Sequence, residues 1–144
     1  MAYYPPVGFH FIVRFGFSGN EEDSRFQSVS GLSVEYETET VTEGGEKRFV
    51  HELPVRTKYN TLVLKRGMLV GSEVVKWCLD AFENRQFAPA DLQVLLLNEN
   101  SEPLKVWKLV KAWPKKWAVS DFNAEENGLV IETLELSYNY FKIE

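Results

Sequence analysis

Phe26 to Gly67 carries the punctuation that decides the fold: Val29-Ser30-Gly31-Leu32, then Glu43-Gly44-Gly45, Leu53-Pro54 and Leu64-Lys65-Arg66-Gly67. After Gly31 the chain alternates Leu32, Val34 and Tyr36 with Ser33, Glu35 and Glu37, the two-residue period of a strand with unlike faces. Threonines carry that strand on to Glu43. Gly44-Gly45 supplies the positive φ of a tight hairpin turn, so Glu46 to Val55 reads as a returning arm and Thr61 to Arg66 as another strand. With Gly44 and Gly45 as the two turn residues, Glu43 faces Glu46 and Glu37 faces Glu52, and like charges across a ladder weaken it. The arm is therefore expected either to take a wider register or to be completed by another chain.

Strand patterns dominate on both sides of this stretch. Phe9, Phe11, Val13 and Phe15 alternate with His10, Ile12 and Arg14, and a polar loop follows from Ser18 to Asp23. Asp91 to Asn98 and Leu104 to Trp113 form a further pair around Glu99 to Pro103. In the second of these Val106, Val110 and Ala112 point one way and Trp107, Leu109 and Trp113 the other, which predicts a strand covered on both faces. Beyond Pro114-Lys115-Lys116 and a loop around Ser120 to Gly128, the last strand is expected from Leu129 to about Phe141, with Leu134, Leu136, Tyr138 and Tyr140 on its apolar face.

Only Ser72 to Glu83 has a helical period. Ser72 can cap it, Glu73 suits the positive end of the dipole, and Val74, Trp77, Cys78, Ala81 and Phe82 make one apolar stripe. A single stripe needs a sheet to lie on. The fold class is mainly β: an antiparallel sandwich or small barrel with one helix packed on it. The 144 residues, 44% hydrophobic, are expected to form one domain, 1–144, with 1–7 a flexible segment around Tyr4-Pro5-Pro6.

Charge and cysteine usage narrow the function. A net charge of -5 disfavours wrapping a nucleic-acid backbone. The lone Cys78 excludes an intrachain disulfide and fits a reducing cytoplasm. The amino terminus lacks the basic start and apolar run of a secretory signal, and no stretch approaches the roughly 20 apolar residues of a membrane helix. His10, His51 and Cys78 have no metal-ligand or nucleophile spacing, so no catalytic, cofactor or metal site is expected. Glu35, Glu37 and Glu39 share a strand face; read as paired carboxylates they suggest a glycosidase, and read plainly they are a solvated acidic stripe. Trp113-Pro114 and Trp117 beside Lys115-Lys116 are core aromatics or, less simply, a stacking patch.

The motif order of Phe26 to Gly67, with Trp77, Trp107, Ala112-Trp113-Pro114 and the closing Glu132-Thr133-Leu134-Glu135-Leu136-Ser137-Tyr138, resembles the tail tube proteins of contractile phages and phage-derived contractile injection systems. The resemblance runs from about Phe9 to Tyr140. It implies the fold that this family shares with the haemolysin-coregulated protein, and a structural role: hexameric rings, joined through sheet edges, stacked into the inner tube of a contractile tail. The implied partners are further copies of the chain, a contractile sheath protein, baseplate and tube-terminating proteins, and a luminal cargo of protein or DNA, with no membrane anchor and no cofactor. It also implies assembly in the cytoplasm without a signal peptide, and release as part of a particle. Glu35, Glu37, Glu39, Glu43, Gly44, Gly45, Lys65 and Arg66 are the residues expected at subunit contacts. The Glu stripe would line the channel or meet cations of a neighbour. The competing expectations are a monomeric β-barrel binding a small apolar ligand and, after it, an enzyme built on that stripe.

Overall fold

The structure is a computed structural model that describes residues 9–19, 21–42, 50–122 and 128–144. Its strands are β1 (His10–Phe15), β2 (Ser28–Ser30), β3 (Val34–Thr42), β4 (Val50–Tyr59), β5 (Leu62–Gly67), β6 (Ala90–Leu97), β7 (Pro103–Val119), β8 (Ile131–Ser137) and β9 (Tyr140–Ile143), with one helix, α1 (Glu73–Glu83), and a short 3-10 turn at Glu22–Ser24. All strand pairs are antiparallel. The main sheet runs β1-β6-β7-β8-β5-β2, β9 adds to β7, and β3-β4 stands apart as a two-stranded ribbon.

β7 belongs to two layers. Its first part pairs with β6 and β9, and its second part, from Trp113 to Val119, pairs with β8. The turn between them is a bulge. Lys111 takes φ 57°, its N–H is held by Asp91 Oδ1 at 3.0 Å, and the β6 register slips between Ala90 and Leu92. A bulge exchanges the faces of a strand. The buried set is odd before it, at Leu109, and even after it, at Ala112 and Pro114. Apolar residues also stand on the opposite face, Val106 and Val110 half-buried and Trp113 beside the Phe87 ring, so what the bulge changes is which parity of β7 is buried. Pro114 likewise does not end the strand, because a second register shift follows it. The expected last strand is cut at Tyr138 and Asn139 into β8 and β9, each serving a different part of β7.

The core lies between these layers. Val13, Phe15, Leu92, Val94, Leu109 and Phe141 from one face Leu62, Leu64, Leu134 and Leu136 from the other. α1 adds Val74 and Cys78, both fully buried, with Ala81; Phe82, expected on the same stripe, is largely exposed. Ser72 caps the helix as its sequence suggests, accepting from Val75 N at 3.1 Å. Burial, then the charge of Glu132, pushes the Cys78 thiol up to about 12 against the pull of Arg66, so it stays protonated at neutral pH.

One charged cluster sits inside this core. Arg66 is only 2% exposed. Its Nε donates to Glu132 Oε1 at 3.1 Å, its Nη1 to the Asp23 carbonyl at 3.0 Å and its Nη2 to Ser72 Oγ at 2.8 Å, with Asp23 Oδ1 3.0 Å away. The guanidinium also stands 4.6 Å from the centre of the Phe26 ring. Asp23 Oδ2 accepts from Glu73 N at 2.8 Å and Val74 N at 3.3 Å, so the same carboxylate satisfies the first turn of α1. β5, β8, the 3-10 turn and the helix start are thus held by one side chain.

Breaking a buried pair from one side leaves charge without a partner. Arg66→Ala is expected to lower stability by about 3–5 kcal/mol, read as an earlier denaturation midpoint; a midpoint at the wild-type value would contradict this. Burial pushes the Asp23 carboxyl up, but the Ser72 hydroxyl, the Val74 N–H and Arg66 outweigh it and leave its pKa lowered. A depressed carboxyl pKa contributes stability above the unfolded value of about 3.9, and that contribution is lost as pH falls through the folded value. Acid titration of stability should therefore show a loss below about pH 4 that Asp23→Asn lacks; identical slopes in the two proteins would disprove it.

Candidate assembly interface

The β3-β4 ribbon has no core of its own. Gly31 releases it from the sheet: it takes φ 96°, and a Cβ there would lie 2.0 Å from the Thr61 carbonyl oxygen, so only glycine fits. Beyond it the chain leaves β2 and enters β3, the strand expected after Gly31. The base of the ribbon is fastened by Tyr59, whose ring packs 6.0 Å from Tyr138 and 5.0 Å from Phe141, and by the hydrogen bond from Asn60 Nδ2 to Ser33 Oγ. Farther out, Tyr36 is 63% and Val55 51% exposed. A two-stranded ribbon is marginal in water by itself, and open aliphatic and aromatic surface on it marks a place for a partner.

The register overturns the two-residue turn. Thr42 pairs with Val50, so the ladder closes farther from Gly44-Gly45 than such a turn allows; Glu43, Gly44 and Gly45 lie outside the described residues. Glu37 does not face Glu52. It faces Arg56, with Arg56 Nε 3.0 Å from Glu37 Oε2, while Glu35 faces Lys58 and Glu39 faces Leu53. A shift between Glu37 and Thr38 separates this matched stretch from the outer ladder. The expected repulsion between Glu37 and Glu52 is absent, the Glu43-Glu46 pair lies outside the described residues, and the first two glutamates of the stripe face cations on their own arm.

Val34 shares a face with Tyr59, and Tyr36 with Thr57; the Glu35-Lys58 and Glu37-Arg56 pairs occupy the opposite face. Because Tyr59 turns toward Tyr138 and Phe141, the face bearing Val34 and Tyr36 continues the core side of the sheet. Lys65 is exposed on β5, opposite Ser28 on one side and Thr133 on the other. Arg66 points the other way and spends its donors within the subunit. Nothing local marks its partners: Asp23 lies in a polar loop, and Glu132 falls among alternating residues of the last strand.

Several strand edges are open. Among the described residues β1 pairs only with β6, β2 only with β5, and Trp113 to Val119 of β7 only with β8. His10 stands at an exposed surface, 3.2 Å from Ser101 Oγ, and His51 lies on the arm opposite Val41. No group of three His, Cys, Asp or Glu among the described residues is placed to hold a metal ion. A groove of about 850 Å³ beside β1 is open to solvent, unlike the enclosed site that a barrel for a small apolar ligand requires. No helix among the described residues is long and apolar enough to cross a membrane.

Residues 7–142 match the family described as T4-like virus tail tube protein gp19. No curated protein sequence matches the chain at a significant level. Among solved structures, a chain of the anti-feeding prophage baseplate, determined by cryo-EM with six-fold symmetry, is 31% identical; the match covers 99% of this chain and 97% of that one, with a TM-score of 0.86. A chain of the sheath-tube complex of the PVC extracellular contractile injection system is 24% identical over 99% of this chain and 93% of that one, with a TM-score of 0.82. The fold is also that of Hcp1 from Flavobacterium johnsoniae, at 17% identity, 92% and 93% coverage and a TM-score of 0.55. The chain belongs to the T4-like virus tail tube protein family, whose members are structural tube proteins rather than enzymes.

Proposed function

We propose that this chain is the repeating subunit of the inner tube of a contractile particle: copies close into hexameric rings, and the rings stack into a conduit. The observation that carries this reading is the β3-β4 ribbon, which projects from the fold with Val34, Tyr36 and Val55 uncovered and only its base fastened. A neighbouring ring is the partner that covers it. Ring closure uses the open edges, the β2 side of the β2-β5-β8-β7 layer meeting the Trp113 to Val119 side of the next copy. Such a joint is head to tail and closes when the rotation per subunit divides the circle. It also removes edges that would otherwise template aggregation. Four strands from each of six copies, spaced about 4.8 Å apart, make a wall roughly 40 Å across at the backbone.

The partners follow from the assemblies in which similar chains sit: a baseplate, a sheath-tube complex and a tube-terminating cap. We place this chain between a baseplate and a terminator, inside a sheath, with protein or DNA passing through, in a particle that acts outside the cell. Its work is mechanical and needs no cofactor.

Purified protein examined by electron microscopy and by mass measurement over a wide concentration range should give six-membered rings and, on a baseplate template, hollow tubes of constant width. A protein that stays monomeric throughout and forms no templated tube would sink the reading. Replacing Val34 and Tyr36 together with serine should change subunit stability by less than about 1 kcal/mol, as for surface positions generally, yet reduce tube formation at least tenfold. Wild-type tube yield from that variant would show that the ribbon face makes no stacking contact.

A further inference from the structure

We infer that the core beneath the open edge of β7 holds one water molecule, bonded between the Trp117 indole N–H and the free oxygen of the Glu132 carboxylate, and that this water ties the edge strand to the Arg66 cluster. The site is complete within one subunit, whatever that subunit assembles into.

Three buried side-chain polar atoms have no hydrogen-bond partner among the described residues: Trp117 Nε1, Glu132 Oε2 and the Tyr138 hydroxyl. The first two are neighbours. Trp117 pairs with Leu134 and Val119 with Glu132, so Trp117 and Glu132 share one side of the β7-β8 pair, on the diagonal that aromatic and long side chains reach. That side is the covered one: Leu134 and Glu132 are fully buried, and the Trp117 ring packs on the same core. Tyr138 lies beyond the far end of β8, beside Tyr59 and Phe141, and belongs to the base of the ribbon.

Arg66 leaves the Glu132 carboxylate half used. Its Nε donates to Oε1 at 3.1 Å, while Nη1 and Nη2 turn to Asp23 and Ser72, so the two-pronged pair that a guanidinium and a carboxylate often make does not form.

The two remaining atoms are opposite in kind. An indole N–H only donates, and a carboxylate oxygen only accepts. Each lost its solvent on folding, and a buried polar group without a partner is costly enough that few persist. A cation would suit the carboxylate and be repelled by the N–H; an anion would do the reverse. The occupant must accept from one atom and donate to the other while adding no charge, and water is the smallest molecule that does both. Its second hydrogen and spare lone pair have a neighbour in Cys78. Burial, then the charge of Glu132, pushes that thiol up, which sets a protonated sulfur close to the same carboxylate.

The consequence reaches the surface. Among the described residues, Trp113 to Val119 pairs with β8 on one side only. Through the water, the ring of Trp117 is held to charges that Arg66 already fixes against β5 and the helix start, so the edge keeps its place before any neighbour joins it.

The test is nuclear magnetic resonance of the full-length subunit with its four tryptophans labelled with nitrogen-15. Loss of one indole signal in Trp117→Phe assigns the Trp117 proton, and its contacts to the Leu134 methyl groups assign it independently should that variant fail to fold. The Trp117 indole proton should show a dipolar cross-peak to water whose laboratory-frame and rotating-frame components have opposite signs, as for a water held in the protein rather than one passing over its surface. The indole Raman band that shifts with N–H hydrogen bonding should place Trp117 on the bonded side, with Trp77, whose Nε1 donates directly to the Ala88 carbonyl at 2.7 Å, as the reference for an indole bonded to protein. A bonded Trp117 without the water cross-peak means a direct bond to Glu132 and overturns the inference. A Trp117 band at the position of a free N–H overturns it equally.

Discussion

Arg66 stands where four pieces of chain must meet before there is a core to enclose them. A guanidinium offers five donors in a fixed plane, and here that plane is shared among a carboxylate on β8, a carbonyl and a carboxylate at the 3-10 turn, and the hydroxyl that caps α1. No apolar side chain can dictate directions in this way. The cost is the desolvation of three charges, which the mutual hydrogen bonds offset in part, Glu132 Oε2 being buried without a hydrogen-bond partner among the described residues. What results is a fixed relation between the helix and the β5-β8 pair, and hence between the covered side of that layer and its bare side. The ribbon grows from the strands next to this point, so its orientation is inherited from the same cluster.

The ribbon itself is a fold left unfinished. Its inner charges are matched across the strands at Glu35-Lys58 and Glu37-Arg56, and its glycine exit is sterically specified, yet among the described residues Tyr36, Leu53 and Val55 farther out are left exposed. Charge matching keeps the two strands paired without making them stick to everything, and the aliphatic and aromatic face supplies the area that an incoming copy can cover. A subunit built in this way is stable in its core and conditional in its arm, a division suited to polymerisation on a template.

Much of this was legible in the sequence. The alternation of β1, the period and cap of α1 and the motif order from Gly31 to Gly67 led to the architecture and the family. The failures share a cause, which is register. One inserted residue at Lys111 reverses which parity of β7 is buried until a second shift after Pro114 restores it, a change that alternation read along the chain does not show. The same sensitivity set Glu37 opposite Glu52 on paper and opposite Arg56 in the fold. The assembly residues were harder still. Lys65 and Arg66 are adjacent and chemically alike, but the pleat sends one to solvent and the other to Asp23 and Glu132, and nothing local to the pair distinguishes them. The alternation of Val34 and Tyr36 marks one apolar strand face without saying what covers it; that they are left open follows from the departure of the ribbon at Gly31.

Amide hydrogen exchange, followed in free subunits and in assembled tubes, tests most directly the claim that the arm is finished only by assembly. The account predicts fast exchange through Val34–Thr42 and Val50–Tyr59 in the free subunit and slow exchange there in the tube, with β5 and β8 protected in both states. Equal protection of the arm in the two states would contradict it.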